Sequence, residues 1–370
     1  MSRFVERVER VRAAMARHGV DTVLLSVGAD LPWLTGYEAM PLERLTMLVL
    51  PREGEATLVV PRLEAPRVVE RPDVFGLRPW NETEDPVEIV AEAAGAPAVV
   101  ALGDRTWARF VLDLQTRLSK ASFRPAQPVL GPLRAVKDEA EITALRRAGA
   151  TVDRVVAAIQ AGEVPLVGRT EAEVSADLSR RIVAEGHQHT NFAIVATGPN
   201  AASPHHEAGG RVIGPGDIVL CDFGGTMLDA EGVGYCSDIT RCVHVGEPPA
   251  EVAEAYAVLH QAQRAAVAAA VVGTLCQEVD EVARRVIATA GYGDRFIHRT
   301  GHGIGVEEHE DPYIVAGNAT PLVPGHAFSV EPGIYVPGRF GLRLEDIVVA
   351  AEAGPDELNR ADHGLAVVEA

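Results

Sequence analysis

Five stretches in the second half of this 370-residue sequence set an acid or a histidine among apolar residues. An unpaired charge in such surroundings is costly, so each acid there calls for a partner. The stretches are Ile218-Val-Leu-Cys-Asp222-Phe-Gly-Gly, Tyr235-Cys-Ser-Asp238-Ile-Thr-Arg241, His298-Arg-Thr-Gly-His302-Gly-Ile-Gly305, Phe328-Ser-Val-Glu331-Pro-Gly-Ile and Leu342-Arg-Leu-Glu345-Asp-Ile-Val-Val. Two Asp, two Glu and one His on Gly-flanked strands suit a pair of divalent ions, because carboxylates can bridge both. Two such ions clamp the attacking oxygen and the developing oxyanion of a hydrolysed amide, and make a shared water a bridging hydroxide near neutral pH. Four carboxylates with one His and no thiolate favour Mn²⁺, with Co²⁺ or Zn²⁺ as the other choices.

Each stretch alone has a plainer reading. Glu331-Pro-Gly is a common turn, Asp222 before Gly-Gly could cap one, and Arg343-Leu-Glu345-Asp346 could be a surface charge run. Gly301-His-Gly-Ile-Gly305 is weak as a phosphate loop. His187 and His189 read as surface or structural. The five together, in this order, are far harder to obtain by chance.

Strand periodicity places the acids. Asp222, ending an apolar strand Ile218–Phe223, shares a face with Leu220 and Ile218. Asp238 shares one with Thr240, and Arg343 shares one with Glu345. A hairpin tip over Thr226–Gly234 would bring the two Asp together. Further strands are expected at Phe192–Thr197, Gly234–Val245, Ala327–Glu331 and Leu342–Ala350. Helices are expected at Asp138–Ala161, from Thr170 to Gly186, at Glu251–Val272 and at Leu275–Ala290. Thr170 with Glu173, and Thr274 with Gln277, form two capping boxes. A helix pair followed by strands, twice over, suggests an α+β domain with an internal pseudo-duplication.

The first 130 residues read as an α/β domain without clustered chemistry. An amphipathic helix ends at Gly19, and strands follow at Thr22–Ser26, Leu45–Leu50 and Ala56–Val60. Residues 124–137 carry three Pro and a Gly. The expected boundaries are therefore domain 1–130, linker 131–137 and domain 138–370.

Composition excludes whole classes. The formal net charge of −18 lacks the basic footprint of a nucleic-acid binder. Residues 1–135 carry 18 acidic and 17 basic side chains, so nearly all the excess lies in the second half. Four cysteines without a CxxC pair argue against a disulfide framework and a zinc-thiolate site. No signal-type or membrane-spanning apolar run is legible, so the expectation is a cytoplasmic protein with reduced thiols and no membrane partner.

The order DFG, SDxTR, GHGIG, EPG and RxED resembles the pita-bread metallopeptidases, the creatinase, aminopeptidase P and prolidase group. Residues 1–130 resemble its creatinase-type N-terminal domain, which points to the proline-directed branch. The resemblance implies metal ligands Asp222, Asp238, His302, Glu331 and Glu345, with Asp222 bidentate and Asp238 and Glu345 bridging. It implies catalytic roles for Glu331 in proton handling, for His205 and His309 as donors to the substrate, and for Arg343 in supporting the ligands or meeting a substrate carboxylate. His206 is read as a neighbour pointing elsewhere. The implied activity is hydrolysis of the Xaa-Pro bond, of dipeptides first, by a homodimer. The alternative is aminopeptidase P activity on longer Xaa-Pro peptides. Less favoured are a non-peptidase hydrolase or lyase and a binding protein on the same scaffold. Two departures stand out. Asp222 and Asp238 lie sixteen positions apart, wider than in most of the family, which makes Asp229 a rival to Asp222. No Arg occurs between His309 and Tyr313, where a dipeptide-restricted relative would grip the proline carboxylate; Arg339, Arg343 or a partner subunit's residue are the substitutes.

Overall fold

The amphipathic start of the chain folds as its spacing predicts. Helix α1 (Arg3–His18) is capped by Ser2, whose hydroxyl accepts from the Val5 N–H, and is closed by Gly19 at φ 62°, a left-handed position that suits glycine. The computed structural model describes residues 2–369. These fall into two compact units: one runs to residue 134 and includes 229–234, and the other comprises 135–228 and 235 onward.

The first unit is a six-stranded mixed sheet flanked by helices. Its strands are β1 (Thr22–Leu25), β2 (Met47–Pro51), β3 (Thr57–Pro61), β4 (Gly76–Trp80), β5 (Val99–Leu102) and β6 (Ser122–Pro125), in the order β4-β3-β2-β1-β5-β6. Helices α2 (Asp30–Thr35), α3 (Pro86–Ala94), α4 (Ala108–Arg117) and α5 (Gln127–Ala135) complete it. Strand β4 escapes sequence reading because Pro79 interrupts it, which an edge strand tolerates. The segment 131–137, expected as a linker, is helical over its first part, where α5 runs to Ala135. Pro128 sits in the first turn, where its missing N–H costs nothing. Burial of Val129, Leu130 and Ala135 then outweighs the local breakers.

The second unit holds α6 (Glu139–Gln160), α7 (Glu171–Ala184), β7 (His189–Thr197), β8 (Ile218–Leu228), β9 (Gly234–Cys236) and β10 (Ile239–Val245). It continues with α8 (Ala250–Ala269), α9 (Cys276–Thr289), β11 (Gly301–Gly303), β12 (Glu310–Ile314), β13 (Ala327–Val330), β14 (Gly333–Val336), β15 (Phe340–Arg343), β16 (Asp346–Val349), β17 (Asp356–Glu357) and β18 (Ala366–Val368). A helix pair followed by antiparallel strands thus occurs twice. One sheet runs β18-β10-β8-β7 and the other β12-β11-β13-β16-β17. This is the mixed α/β architecture expected of a pita-bread domain.

The box expected from Thr170 and Glu173 forms at the start of α7, and Asp138 with Glu141 forms another at the start of α6. The box expected from Thr274 and Gln277 does not. Helix α9 starts later, and Glu278 reaches back to the Leu275 N–H at 2.9 Å.

Alternation along β8 and β10 divides two cores. Ile218, Leu220 and Cys242 pack with α8 and α9. Val219, Cys221, Phe223, Ile239 and Val243 pack with α6 and α7. Asp222 therefore continues the Ile218–Leu220 face. It does not end its strand, because β8 runs on to Leu228 and pairs with β7 as far as Thr226. All four cysteines are buried and unpaired. Among the described residues, no helix is long and apolar enough to cross a membrane.

Candidate metal centre

Asp222 sits in mid-strand, opposite Ile194 on β7 and Thr240 on β10. Asp238 occupies the break between β9 and β10, where the strand expected over Gly234–Val245 is interrupted. Gly224 explains the closeness of the two segments. A Cβ there would stand 2.0 Å from the Ser237 carbonyl oxygen, so only glycine lets the Ser237-Asp238 turn lie on β8. Gly301 does the same for His302, since a Cβ would meet the Ser329 carbonyl at 1.8 Å.

Short side chains then orient the larger ones. The His302 N–H donates to Ser329 Oγ at 3.0 Å, and that hydroxyl donates to Glu331 Oε1 at 3.2 Å. Thr240 Oγ1 donates to Glu345 Oε2 at 2.6 Å. The Glu345 N–H donates to the Thr240 carbonyl, and Arg241 Nη1 donates to the Glu345 carbonyl at 2.6 Å. Through Thr240 and Glu345 the two halves of the unit meet in an isolated antiparallel bridge.

Asp222, Asp238, His302, Glu331 and Glu345 all line one cavity of about 450 Å³. His302 Nε2 stands 3.3 Å from Glu331 Oε1 and 3.8 Å from Asp238 Oδ2. Ligand atoms of Asp238, His302 and Glu345 lie within 4.8 Å of one another. Asp222 Oδ1, Asp238 Oδ1 and Glu345 Oε1 are buried without a hydrogen-bond partner. Buried acceptors left this way are expensive. Cations of the size of Mn²⁺ fit such a donor set, because they take oxygen ligands and cancel charge together.

The electrostatics point the same way. Burial holds Asp238 well above the ordinary carboxylate range, and the Glu345 and Asp222 charges add to it. Glu345 is raised likewise by burial, then by Glu331 and Asp222. Burial raises Glu331 to about 7, with the Arg343 charge opposing. His302 is pushed down to about 3 by burial and by the neighbouring His309, so its imidazole is neutral and its nitrogen available to a metal.

Comparison with known proteins now decides the family. Residues 143–352 match the model of metallopeptidase family M24, and residues 7–136 match the creatinase/prolidase N-terminal domain. The chain belongs to metallopeptidase family M24. It is 46% identical over 369 residues to a probable dipeptidase PepE of Mycobacterium tuberculosis, covering 99% of this chain and 96% of the relative. It is 35% identical over 363 residues to an Xaa-Pro dipeptidase of Lactobacillus helveticus, covering 94% and 95%. Its fold superposes on a prolidase from Thermococcus sibiricus with a TM-score of 0.92 at 36% identity, over all of both chains. The molecule is therefore a metallopeptidase with the M24 catalytic domain and a creatinase-type N-terminal domain.

Within this M24 chain the remaining candidates divide clearly. His205 and His309 line the cavity, and the His309 ring lies 3.9 Å from that of His302. His206 turns away and pairs with Glu171 Oε2 at 2.8 Å. Asp229, the rival to Asp222, accepts from the Glu231 and Val233 N–H groups and pairs with Arg3. It lies outside the catalytic unit, and the extra spacing between the two Asp is taken up by β8 running to Leu228 and by the tip beyond it.

Arg343 does not share a continuous strand with Glu345, since β15 ends at Arg343. Its guanidinium is committed instead: it pairs with Asp222 Oδ2 and donates to Tyr335 Oη at 2.7 Å and to Thr240 Oγ1 at 3.3 Å. Tyr335 Oη lies 2.9 Å from His298 Nε2. Since Arg343 donates to that hydroxyl, the hydroxyl donates to His298, whose Nδ1–H is left to donate to the Arg299 carbonyl at 2.8 Å. Burial lowers His298 to about 4, consistent with this neutral tautomer. Sequence reading assigned no role to His298, Arg299, Ser329 or Tyr335. His298 and Arg299 stood inside a quoted motif, but nothing in the spacing separated them from structural residues.

His187 is buried rather than superficial, with Nε2 2.8 Å from Ser237 Oγ. Burial lowers it to about 4 from 6.5. The unfolded chain therefore binds a proton in that window which the folded chain refuses, so stability is lost as pH falls from 6.5 towards about 4. Denaturant titrations across this range should show a shallower acid loss for His187→Gln, and an unchanged slope would clear His187 of the effect.

Proposed function

We propose that this protein hydrolyses the Xaa-Pro bond, with dipeptides as the preferred substrates, using two divalent ions held by Asp222, Asp238, His302, Glu331 and Glu345. The observation that carries the reading is the set of three buried, partnerless carboxylate oxygens facing a neutral His302 in one cavity. The relatives named Xaa-Pro dipeptidase and prolidase support the substrate class. Mn²⁺ suits the oxygen-rich donor set. When bound, the ions supply an acidified water and polarise the scissile carbonyl.

The chain's own groups do the rest. Glu331 takes and returns a proton through its carboxyl oxygens and delivers it to the departing prolyl nitrogen. His205 and His309 donate hydrogen bonds to the substrate carbonyl and to the oxyanion that develops from it. Arg343 holds Asp222 in place. Phe192 and Ile194 give the cavity an apolar wall for the residue preceding proline.

Steady-state kinetics of the Mn²⁺-loaded protein on Ala-Pro and Ala-Pro-Ala test the reading. The expected result is a higher kcat/KM for the dipeptide. Turnover of the tripeptide alone would replace it with aminopeptidase P activity. Metal analysis showing under one ion per chain after loading would remove the dinuclear centre.

A further inference from the structure

Glu171 is a wholly buried carboxylate at the start of α7, and the reaction proposed above makes no use of it. Among the described residues no Arg or Lys pairs with it. Its charge is met by donors from a single stretch of chain. These are the Thr197 N–H at 2.8 Å, Thr197 Oγ1 at 2.9 Å, Asn200 Nδ2 at 3.1 Å, His206 Nε2 at 2.8 Å and the Gly209 N–H at 3.3 Å. Burial by itself would raise the carboxyl; the hydrogen bonds, that of His206 foremost, hold it below the ordinary range.

The donors run from position 197 to 209, and His205 lies between them. His205 lines the catalytic cavity, yet its ring forms no hydrogen bond among the described residues. The aim of that ring is therefore set by the backbone on either side. On one side Arg343 Nη1 donates to the Pro204 carbonyl at 3.3 Å. On the other the His206 ring is tied to Glu171. The short 3₁₀ helix ahead of it, Gly198–Ala202, is pressed onto β15, since a Cβ at Gly341 would stand 1.7 Å from the Ala201 carbonyl oxygen.

The second half of the unit repeats the device. Asp280 on α9, also buried, accepts from the Thr300 N–H at 3.0 Å and from Thr300 Oγ1 at 2.8 Å, just ahead of His302. In each half, an acid on the second helix of the pair grips the N–H and hydroxyl of a Thr that precedes a cavity histidine. Asp280 has Arg284 as its counter-charge, whereas Glu171 has only His206.

Resting on the peptidase reading above, we propose that Glu171 is a positioning residue, which acts through His206 to hold the segment 197–209 so that His205 presents its N–H to the substrate. None of its partners is a candidate metal ligand, so its removal should spare metal content.

A double-mutant cycle on Mn²⁺-loaded protein tests this, with Ala-Pro as substrate and metal content determined throughout. Glu171→Ala and His206→Ala should each lower kcat about 10- to 100-fold, the worth of a hydrogen bond to a charged group, with KM changed less. Glu171→Gln should recover most of the loss, since its carbonyl still accepts from Thr197 and its amide can donate to His206. In a His205→Ala background both Ala substitutions should cost nothing further, because the ring they aim is gone. Losses that multiply with that of His205→Ala would overturn the proposal and leave Glu171 a purely structural residue. Should Glu171→Ala fail to fold, His206→Ala decides the cycle, because it removes a partly exposed side chain. Hydrogen exchange gives a reading that needs no turnover. Faster exchange across 197–209 in His206→Ala is expected, and unchanged protection would overturn the clamp. If wild type cleaves Ala-Leu but no proline substrate, the Xaa-Pro reading falls, and the same cycle on Ala-Leu still judges Glu171.

Discussion

Replacing Glu331 by Gln should lower kcat about 10²- to 10⁴-fold, the range over which a positioned acid or base contributes. The residue combines three features that a bystander carboxylate would lack. It faces His302 at 3.3 Å, is oriented by Ser329 at 3.2 Å, and is raised to about 7 by burial. Glutamine keeps the shape and one oxygen but cannot carry a proton. The measurement is single-turnover and steady-state kinetics on Ala-Pro, with metal content determined for the same samples. A variant with normal metal content and kcat near wild type would remove Glu331 from proton handling. A variant depleted of metal would show that its holding role is the larger one.

Arg343→Met should damage both stability and activity, for separable reasons. The guanidinium is the ion-pair partner of Asp222 in a region where both side chains are almost wholly buried. Removing one member of such a pair leaves a buried charge uncompensated, at a cost of about 3–5 kcal/mol in the metal-free protein. Bound cations replace the lost positive charge, so metal loading should restore part of that stability. Activity should fall about 10- to 100-fold even when loaded, as is typical when the group orienting a metal ligand is lost. Unfolding curves with and without Mn²⁺, together with kcat/KM, read out both effects. Wild-type stability in the metal-free variant would show that Asp222 does not depend on Arg343.

Reading of the five acid- and His-bearing stretches rested on local signals. An acid within an apolar run must be partnered, and the flanking glycines read only as strand ends or turns. The first signal survives in the fold, since the five side chains line one cavity; what the fold adds is that Gly224 and Gly301 stand where a Cβ would strike a neighbouring carbonyl. The capping box at Thr170 was equally readable, because a cap depends on residues only three apart, whereas the one read at Thr274 does not form. Where local chemistry and packing disagreed, packing prevailed. The Pro- and Gly-bearing segment expected as a linker folds as α5, since Val129 and Leu130 gain more by burial than Pro132 takes away.

Amino-acid type and short spacing were enough to suggest a pair of domains and a strand-borne acid cluster suited to divalent ions, and the order of the motifs carried the resemblance to the metallopeptidase family. They could not say which arginine is committed to a ligand. Arg343 reaches Asp222 across 121 positions, and Thr240 reaches Glu345 across 105. Contacts of that range leave no periodic trace in sequence, because they are set by how two sheets meet. The sheets commit Arg343 to a ligand, while Arg299 lines the cavity stacked on Tyr313.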